Sequence, residues 1–386
     1  MKGKYVPILL TILSLVIILG LALLTWVKTV AQPLDSRAVI IGGLFSGKAS
    51  STPVIIVKSK PTKITNRGIY LTAYSAGSKT KVDKVLAAIK GTTINSVVID
   101  IKDYSGYLSY DSQIPMVNEL GLKEIKIKYL KGVVDRLHQQ GLYAIARVAV
   151  FQDPILASKK PAWAVGNNKT GKAWQDNKGL SWVDPANPAI WDYHVAIAKE
   201  AINLGFDEIN LDYVRFPSDG AISVMTFPFW KGEGTKADVI RNFFSYFSDK
   251  LKDEPAYLSV DLFGLTTTAK NDMNIGQLLE NASPYFDYIC PMVYPSHYPN
   301  GYLGYKNPAE HPYEIVFGAV KSGNARLASS TTPRRAQIRP WIQDFNLGAI
   351  YTANMVRQQI KASSDAGGDG FLVWDPKNIY TWEGLK

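Results

Sequence analysis

The feature that most constrains the fold is a regular alternation of strand-like and helix-like segments that begins at Arg67. Short apolar runs are typical of strands, and apolar residues three or four positions apart are typical of helices. Eight predicted strands occupy 68–74, 96–103, 143–151, 208–216, 256–264, 286–294, 337–345 and 370–374. Seven predicted helices lie between them, at 82–89, 125–140, 188–204, 236–251, 275–281, 313–322 and 353–366. This alternation predicts an α/β fold, a (β/α)8 TIM barrel rather than an open sheet.

The eighth helix of such a barrel would have to form beyond Asn378, where few residues remain. We therefore expect either a truncated last helix or a barrel side that the preceding stalk covers.

The stretch 207–220, DEINLDYVRFPSDG, carries the clearest sign of a site. Its apolar residues alternate with Asn210 and Asp212, which is the period-2 pattern of a strand with one polar face. Arg215, Pro217 and Gly220 then end the strand in a loop. A carboxylate where a barrel strand meets its following loop lies at the catalytic face. The other interpretation of Asp212 is a buried carboxylate paired with a neighbouring basic residue.

Polar residues collect at the carboxyl ends of the other predicted strands as well. Some of these carboxylates could instead cap the next helix, particularly Asp153 and Asp375. Asp261 and Asp344 are the candidates for a carboxyl group that stays protonated, with Asp261 preferred because it lies between two apolar residues. The candidate substrate-binding residues at these strand ends are Tyr74, Asp103, Arg147, Arg215, Tyr294, Gln343 and Trp374.

The loops that follow the strands are long and aromatic, and the loop from Asp153 to about Pro188 contains Trp163, Trp174 and Trp182. Loops of this length are usually functional or disordered, and aromatic content argues against disorder. Flat rings pack against the apolar faces of sugars, so we predict that these indoles bind substrate; simple packing of the loop is the alternative.

Residues 6–27 form an uncharged apolar run that is long enough to span a bilayer. We predict a cytoplasmic N-terminus at 1–5, a signal-anchor helix at 6–27, a stalk at 28–65 and the barrel domain at 66–386. Lys2 and Lys4 place the barrel outside the cytoplasm of a single-pass membrane protein. A small-residue sequence at Thr29-Val30-Ala31 leaves open cleavage and secretion.

The formal charge of +10 gives little support to a nucleic-acid partner, because residues 2–66 contribute +7 of it and leave the barrel nearly balanced. The four histidines are scattered and no HExxH motif or Cys/His pairing is present, so we predict no metal site and no cofactor. The sequence also lacks the GxSxG motif and a GxGxxG motif after a strand. It does not indicate an oligomeric state.

Several blocks occur together and in order: RGIYLTAYSAG, VVIDIKDYSG, ARVAVFQD, INLDYVRFPSDG, CPMVYPSHY, RPWIQDF and GFLVWDP, with a Trp-rich block between the third and fourth. Over about residues 66–376 the chain resembles the putative glycoside hydrolase family of membrane-anchored or secreted bacterial proteins, which is distantly related to α-amylase-type barrels. The resemblance implies Asp212 as nucleophile, Asp261 as acid/base and Asp344 as transition-state stabiliser. Two positions depart from the amylase pattern: Asp261 replaces a Glu, and Asn210 replaces an Arg.

These observations favour a membrane-anchored, extracytoplasmic glycoside hydrolase that acts on a cell-wall or extracellular polysaccharide, with a polysaccharide or oligosaccharide substrate. Two carboxyl groups on either side of the bond are what this hydrolysis requires. The alternatives are a non-catalytic carbohydrate-binding barrel and a wall-associated scaffold.

Overall fold

The computed structural model describes residues 38–39, 57–333 and 335–386. The predicted membrane segment at 6–27 and most of the predicted stalk lie outside the described residues. The chain divides into two units, Met1–Pro61 and Thr62–Lys386. In the described part of the first unit, the two-residue strands Ala38–Val39 and Val57–Lys58 pair antiparallel. Within the described ranges, no helix is both long and apolar enough to cross a membrane.

The second unit contains a closed barrel of eight parallel strands, which confirms the predicted (β/α)8 fold. Each strand pairs with the next one along the chain, and the last pairs with the first. The strands are β1 (Asn66–Leu71), β2 (Ser96–Lys102), β3 (Tyr143–Ala149), β4 (Glu208–Asp212), β5 (Tyr257–Phe263), β6 (Tyr288–Met292), β7 (Trp341–Gln343) and β8 (Gly370–Trp374).

One labelled helix follows each of the first seven strands. These are α1 (Lys79–Ile89), α2 (Leu130–Gln139), α3 (Pro188–Asn203), α4 (Lys236–Leu251), α5 (Leu279–Ala282), α6 (Pro312–Ser329) and α7 (Ala353–Asp365). Local chemistry sets several of their ends: Thr235 and Asp238 form a capping box at the start of α4, and Gly141 follows α2 with φ +71°. After β8 the chain forms only a 3-10 turn, Trp382–Gly384.

Shorter helices, strands and 3-10 turns lie between the barrel elements. The short helices are Ala73–Ala76, Pro115–Leu120 and Pro154–Lys159. The short strands are Leu108–Tyr110, Lys123–Ile127, Gly166–Asn167, Met225–Thr226 and Gln337–Ile338. The other 3-10 turns are Pro161–Trp163, Ile222–Val224, Gly264–Thr267, Pro295–His297, Tyr302–Gly304 and Pro308–Glu310.

Two apolar clusters account for the two faces of the strands. Residues such as Ile99 and Leu211 belong to one cluster with helix residues such as Phe243, the layer between barrel and helices. A second, separate cluster contains Tyr70 and Trp341 together with residues from other barrel strands, and fills the interior. Because side chains alternate along a strand, the polar partners of Leu211 on β4 face this interior.

The structure differs from the predicted elements at a few boundaries. The helix predicted at 125–140 begins only at Leu130, because Lys123–Ile127 alternates Ile with Lys and Glu and pairs as a strand with Leu108–Tyr110. The helix predicted at 275–281 is reduced to α5, since Gly276 has a φ of +83° that a helix does not allow. The strand predicted at 208–216 ends at Asp212.

Candidate active site

Arg147 on β3 is the centre of a buried ionic cluster inside the carboxyl end of the barrel. Its Nη1 donates a hydrogen bond to Oδ1 of Asp100 on β2, and its Nη2 donates to Oδ2 of Asp212 at the end of β4. Its Nε lies 3.7 Å from Oδ2 of Asp261 on β5. The four side chains are at most 8% exposed. Three carboxyl groups therefore share one cation, and they cannot all be ionised without strong repulsion.

Asp261 is the member of the cluster that holds a proton most strongly. Burial raises its pKa well above the ordinary value, and the negative charge of Asp212 raises it further. Arg147 acts in the opposite direction, as do hydrogen bonds to Oδ1 from Asn210 Nδ2 (2.8 Å) and Trp341 Nε1 (2.7 Å). Because Oδ1 accepts both of these bonds, Oδ2 is the oxygen that is available to bind a proton.

Asp212 accepts hydrogen bonds on both of its carboxylate oxygens. Its Oδ2 receives the Nη2–H of Arg147, and its Oδ1 receives the backbone N–H of Tyr213 at 2.5 Å. Tyr213 has a φ of +54°, which is rare for a bulky residue and is found where a site imposes backbone strain. The left-handed turn ends β4 and directs the Tyr213 amide at the carboxylate. Both carboxylate oxygens of Asp212 therefore have a hydrogen-bond donor.

Asp100 and two aromatic rings complete the cluster on the side of β1 and β8. The Tyr70 hydroxyl donates to Oδ2 of Asp100. Burial raises the pKa of Asp100, against the effect of Arg147 and of this hydrogen bond. Trp374 stacks on Tyr70 with 4.0 Å between ring centroids, and the Arg147 guanidinium lies 5.0 Å from a Trp374 ring centroid. The orientation of Arg147 is therefore fixed from two sides.

A cavity of about 570 Å³ opens onto this cluster. This volume is within the usual range for small-molecule and saccharide sites. Both central carboxyl groups are part of its wall. The lining residues are Arg147, Lys178, Asp212, Tyr213, Arg215, Asp261, Phe263, Gly264, Leu265, Met292, Tyr294, His297, Tyr298, Trp341 and Trp374.

Six of the residues predicted for the site line this cavity: Asp212, Asp261, Arg147, Arg215, Tyr294 and Trp374. The other predicted residues do not line it. Asp344 follows β7, accepts the backbone N–H of Thr381 at 2.7 Å, and has a pKa raised by burial to about 6. Gln343 is fully buried and accepts hydrogen bonds from the backbone N–H and the hydroxyl of Ser296, so it joins two loops.

Tyr74 and Asp103 lie together but away from the cavity. Because β1 ends at Leu71, Tyr74 falls in the short helix Ala73–Ala76, where it is 63% exposed. Lys126 Nζ lies 4.9 Å from its ring centroid and donates to Oδ2 of Asp103 at 3.1 Å. Burial raises the pKa of Asp103, but hydrogen bonds from Ser105 and the contact with Lys126 outweigh burial and lower it.

The three loop tryptophans are also absent from the lining. Trp174 and Trp182 are 1% and 0% exposed, and their indole N–H groups donate to Ala221 O and to Asp176 Oδ2 respectively. Trp163 is half-buried, with Lys160 Nζ 5.7 Å from its ring centroid. The alternative of loop packing therefore describes Trp174 and Trp182 in this structure.

Sequence reasoning did not assign nine of the lining residues to the site: Lys178, Tyr213, Phe263, Gly264, Leu265, Met292, His297, Tyr298 and Trp341. Phe263 could have been found from strand periodicity, because it lies two residues after Asp261 and shares its face. Gly264 allows a close approach that no other residue would, since a Cβ there would lie 2.5 Å from Met292 O. Lys178 is in a long loop and carries no sequence signal of this kind.

Among the residues that the structure describes, no group of three or more His, Cys, Asp or Glu side chains could hold a metal ion. The cavity wall brings together the carboxyl groups of Asp212 and Asp261 and the guanidinium of Arg147.

Comparisons with known proteins give a consistent picture of the fold. A family model described as "Putative glycosyl hydrolase domain" matches residues 68–380. The PgaB (BpsB) glycoside hydrolase domain from Bordetella bronchiseptica is 13% identical with a TM-score of 0.58, and the match covers 84% of this chain and 98% of that chain. The spore cortex-lytic enzyme SleL from Bacillus megaterium is 11% identical with a TM-score of 0.50, over 87% and 77% of the two chains.

A hypothetical protein from Ruminiclostridium thermocellum is 38% identical with a TM-score of 0.46, over 50% of this chain and 96% of that chain. The search of curated proteins found no match.

Proposed function

Because this chain belongs to the putative glycosyl hydrolase domain family, we propose that it is a glycoside hydrolase in which Asp212 and Asp261 are the catalytic pair. The observation that carries the proposal is the arrangement of these two carboxyl groups on one wall of the cavity, in contact with the same guanidinium. Burial and the charge of Asp212 raise the pKa of Asp261, and glycoside hydrolysis requires one carboxyl group that can donate a proton.

In the proposed reaction, Asp261 donates its Oδ2 proton to the leaving glycosidic oxygen. Asp212, ionised beside Arg147, attacks the anomeric carbon or activates a water molecule. Arg147 positions both groups. Asn210 takes part by fixing Asp261 Oδ1 so that the proton stays on the other oxygen. Asp344 is left out of the catalytic pair, because it does not line the cavity.

The proposal includes the location of the enzyme. A signal-anchor helix at 6–27 would hold the barrel, residues 66–386, outside the cytoplasm through a stalk at 28–65. The substrate would then be a polysaccharide of the cell wall or the extracellular space. The length of the apolar run and the lysines that precede it support this part of the proposal.

The experiment is a screen of the full-length protein, purified in detergent, against polysaccharides and purified cell wall, with new reducing ends as the readout. Asp212→Asn should lower turnover by at least about 100-fold and leave oligosaccharide binding largely intact. Asp261→Asn should be less damaging on substrates with good leaving groups, which need little protonation.

Asp111→Asn is the matched control, because the Asp111 side chain is 58% exposed, pairs with Lys123 and does not line the cavity. Turnover by Asp212→Asn at the wild-type rate would exclude this catalytic pair. Oligosaccharide binding without any release of reducing ends would instead favour a non-catalytic carbohydrate-binding barrel.

A further inference from the structure

Arg215 is a second arginine in the cavity wall, and it is enclosed by aromatic rings. It lies in the loop after β4 and is 7% exposed. Its guanidinium carbon lies 4.7 Å from a ring centroid of Trp182 and 4.7 Å from that of Phe263. Nη1 donates to Phe216 O at 3.2 Å and to Ser218 Oγ at 3.0 Å. The rings and these two acceptors hold the guanidinium plane in one orientation.

This cation has no carboxylate partner within 4.0 Å in the part of the chain that the structure describes, and its Nε and Nη2 donate to none of those residues. Asp212, Asp219 and Asp176 attract it only at longer range, and burial lowers the pKa of Arg215. Arg147, by contrast, contacts two carboxylates directly. A buried charge without a partner is unfavourable, so Arg215 is a site at which a bound anion would be strongly stabilised.

Lys178 adds positive charge to the same cavity. It is an exposed residue of the loop between β3 and α3, and no carboxylate in the described residues lies within ion-pair distance of it. The lining contains three basic side chains, Arg147, Lys178 and Arg215, against two carboxyl groups, Asp212 and Asp261. The cavity therefore has a net positive charge before substrate binds.

We propose that the substrate is an acidic glycan, and that Arg215 binds a carboxylate carried by one of its sugar rings. This inference rests on the proposed function, since it assigns a substrate class to the same cavity. A guanidinium fork packed against two rings matches the planar geometry of a carboxylate. Arg215 lines the cavity, and its Nε and Nη2 have no acceptor among the described residues. Lys178 at the exposed part of the wall draws the anionic chain toward the site.

The test measures binding by titration calorimetry with full-length Asp261→Asn protein in detergent. This background lacks the proposed acid, which slows cleavage during the measurement, and it is the same for every probe and variant, so the comparisons share one cavity charge. The probes are matched pairs: hexuronate oligosaccharides with their carboxyl-reduced forms, and peptide-free wall glycan strands that carry lactyl carboxylates with their methyl-amide forms. The two pairs distinguish the two sources of a sugar carboxylate.

In at least one pair, the acidic member should bind about 10- to 100-fold more tightly than the neutral member, as expected for a charge-assisted hydrogen bond. Arg215→Gln should remove this preference, Arg215→Lys should keep part of it, and the exposed control Arg241→Gln should not change it. If Arg215→Gln does not fold, the affinities of the paired glycans for the Asp261→Asn protein still show whether the cavity prefers an acidic glycan.

Equal affinity for acidic and neutral members would overturn the inference, and hydrolysis of a neutral polysaccharide by the wild-type protein would show that the proposed function stands without it. Absence of binding and of hydrolysis for every glycan would overturn both.

Discussion

Removal of the Arg147 guanidinium tests whether this cation keeps the neighbouring carboxyl groups, Asp100 and Asp212, ionised. We expect Arg147→Met to destabilise the barrel much more at neutral pH than at acid pH. Methionine fills similar space without charge, so Asp100 and Asp212 lose their common partner and are left buried beside Asp261. Loss of one partner from a buried ion pair typically costs about 3–5 kcal/mol. A buried carboxylate in this position can avoid that cost only by binding a proton.

The pH dependence follows from that proton. An unfolded carboxyl group has a pKa of about 3.9, and each pH unit above it adds about 1.4 kcal/mol to the cost of keeping the folded group neutral. One such group costs about 1.5 kcal/mol at pH 5 and about 5 kcal/mol at pH 7.5. The folded variant binds more protons than the unfolded chain, so its stability decreases as pH rises. The destabilisation should therefore be about 3 kcal/mol larger at pH 7.5 than at pH 5.

The measurement is urea-induced unfolding followed by tryptophan fluorescence at both pH values. Adding Asp100→Asn to Arg147→Met removes one of the two carboxylates and should recover part of the loss at pH 7.5. The control is Arg241→Met on α4, where an exposed pair with Asp238 is worth at most about 1 kcal/mol. Equal destabilisation by Arg147→Met at the two pH values would refute the argument that the carboxylates depend on this guanidinium for their charge.

Two further predictions follow from single contacts, and a third follows from the proposed topology. Trp341→Phe removes the N–H that lowers the pKa of Asp261, so the basic limb of the kcat/KM pH profile should move to higher pH; an unmoved limb would count against Asp261 as the acid. In urea unfolding, Asp344→Asn should stabilise the protein by about 3 kcal/mol at pH 7.5 and hardly at pH 3.5. The reason is that the folded pKa of Asp344, about 6, makes the stability of the wild-type protein fall as pH rises from about 4, and equal effects at both pH values would contradict this. Protease added to spheroplasts should degrade residues 67–386 while a cytoplasmic marker survives, and joint protection of both would disprove the extracytoplasmic topology.

The barrel could be predicted from the sequence because each of its elements carries its own pattern. All seven predicted helices and all eight predicted strands have counterparts in the structure, and α4 has the predicted bounds. The errors lie where tertiary contacts outweigh the local pattern. Lys123–Ile127 forms a strand only because Leu108–Tyr110 offers a partner, and α5 is short because Gly276 packs its backbone against Lys236 O, 2.7 Å from where a Cβ would be.

The sequence predicts those site residues that lie on strands, because strand periodicity determines which way their side chains point. Asp212, Asp261 and Arg147 lie on strands whose phase is fixed by their apolar neighbours, and the structure brings them together. Loop residues have no such phase. Trp182 is a buried loop residue outside the lining, although it contacts Arg215 as closely as Phe263, which lies at the end of β5 and lines the cavity. Aromatic composition alone does not separate these two roles.

A comparison of the two arginines inside the barrel separates structural charge from functional charge. Arg339 and Glu208 are both fully buried, and the guanidinium donates to both carboxylate oxygens. One cation meets one anion there. Arg147 meets three carboxyl groups, and burial and the charge of Asp212 raise the pKa of one of them, Asp261. A cluster with more carboxyl groups than cations favours the retention of a proton by one of them. This excess of carboxyl groups beside a cavity supports the proposal that acid/base chemistry takes place at this end of the barrel.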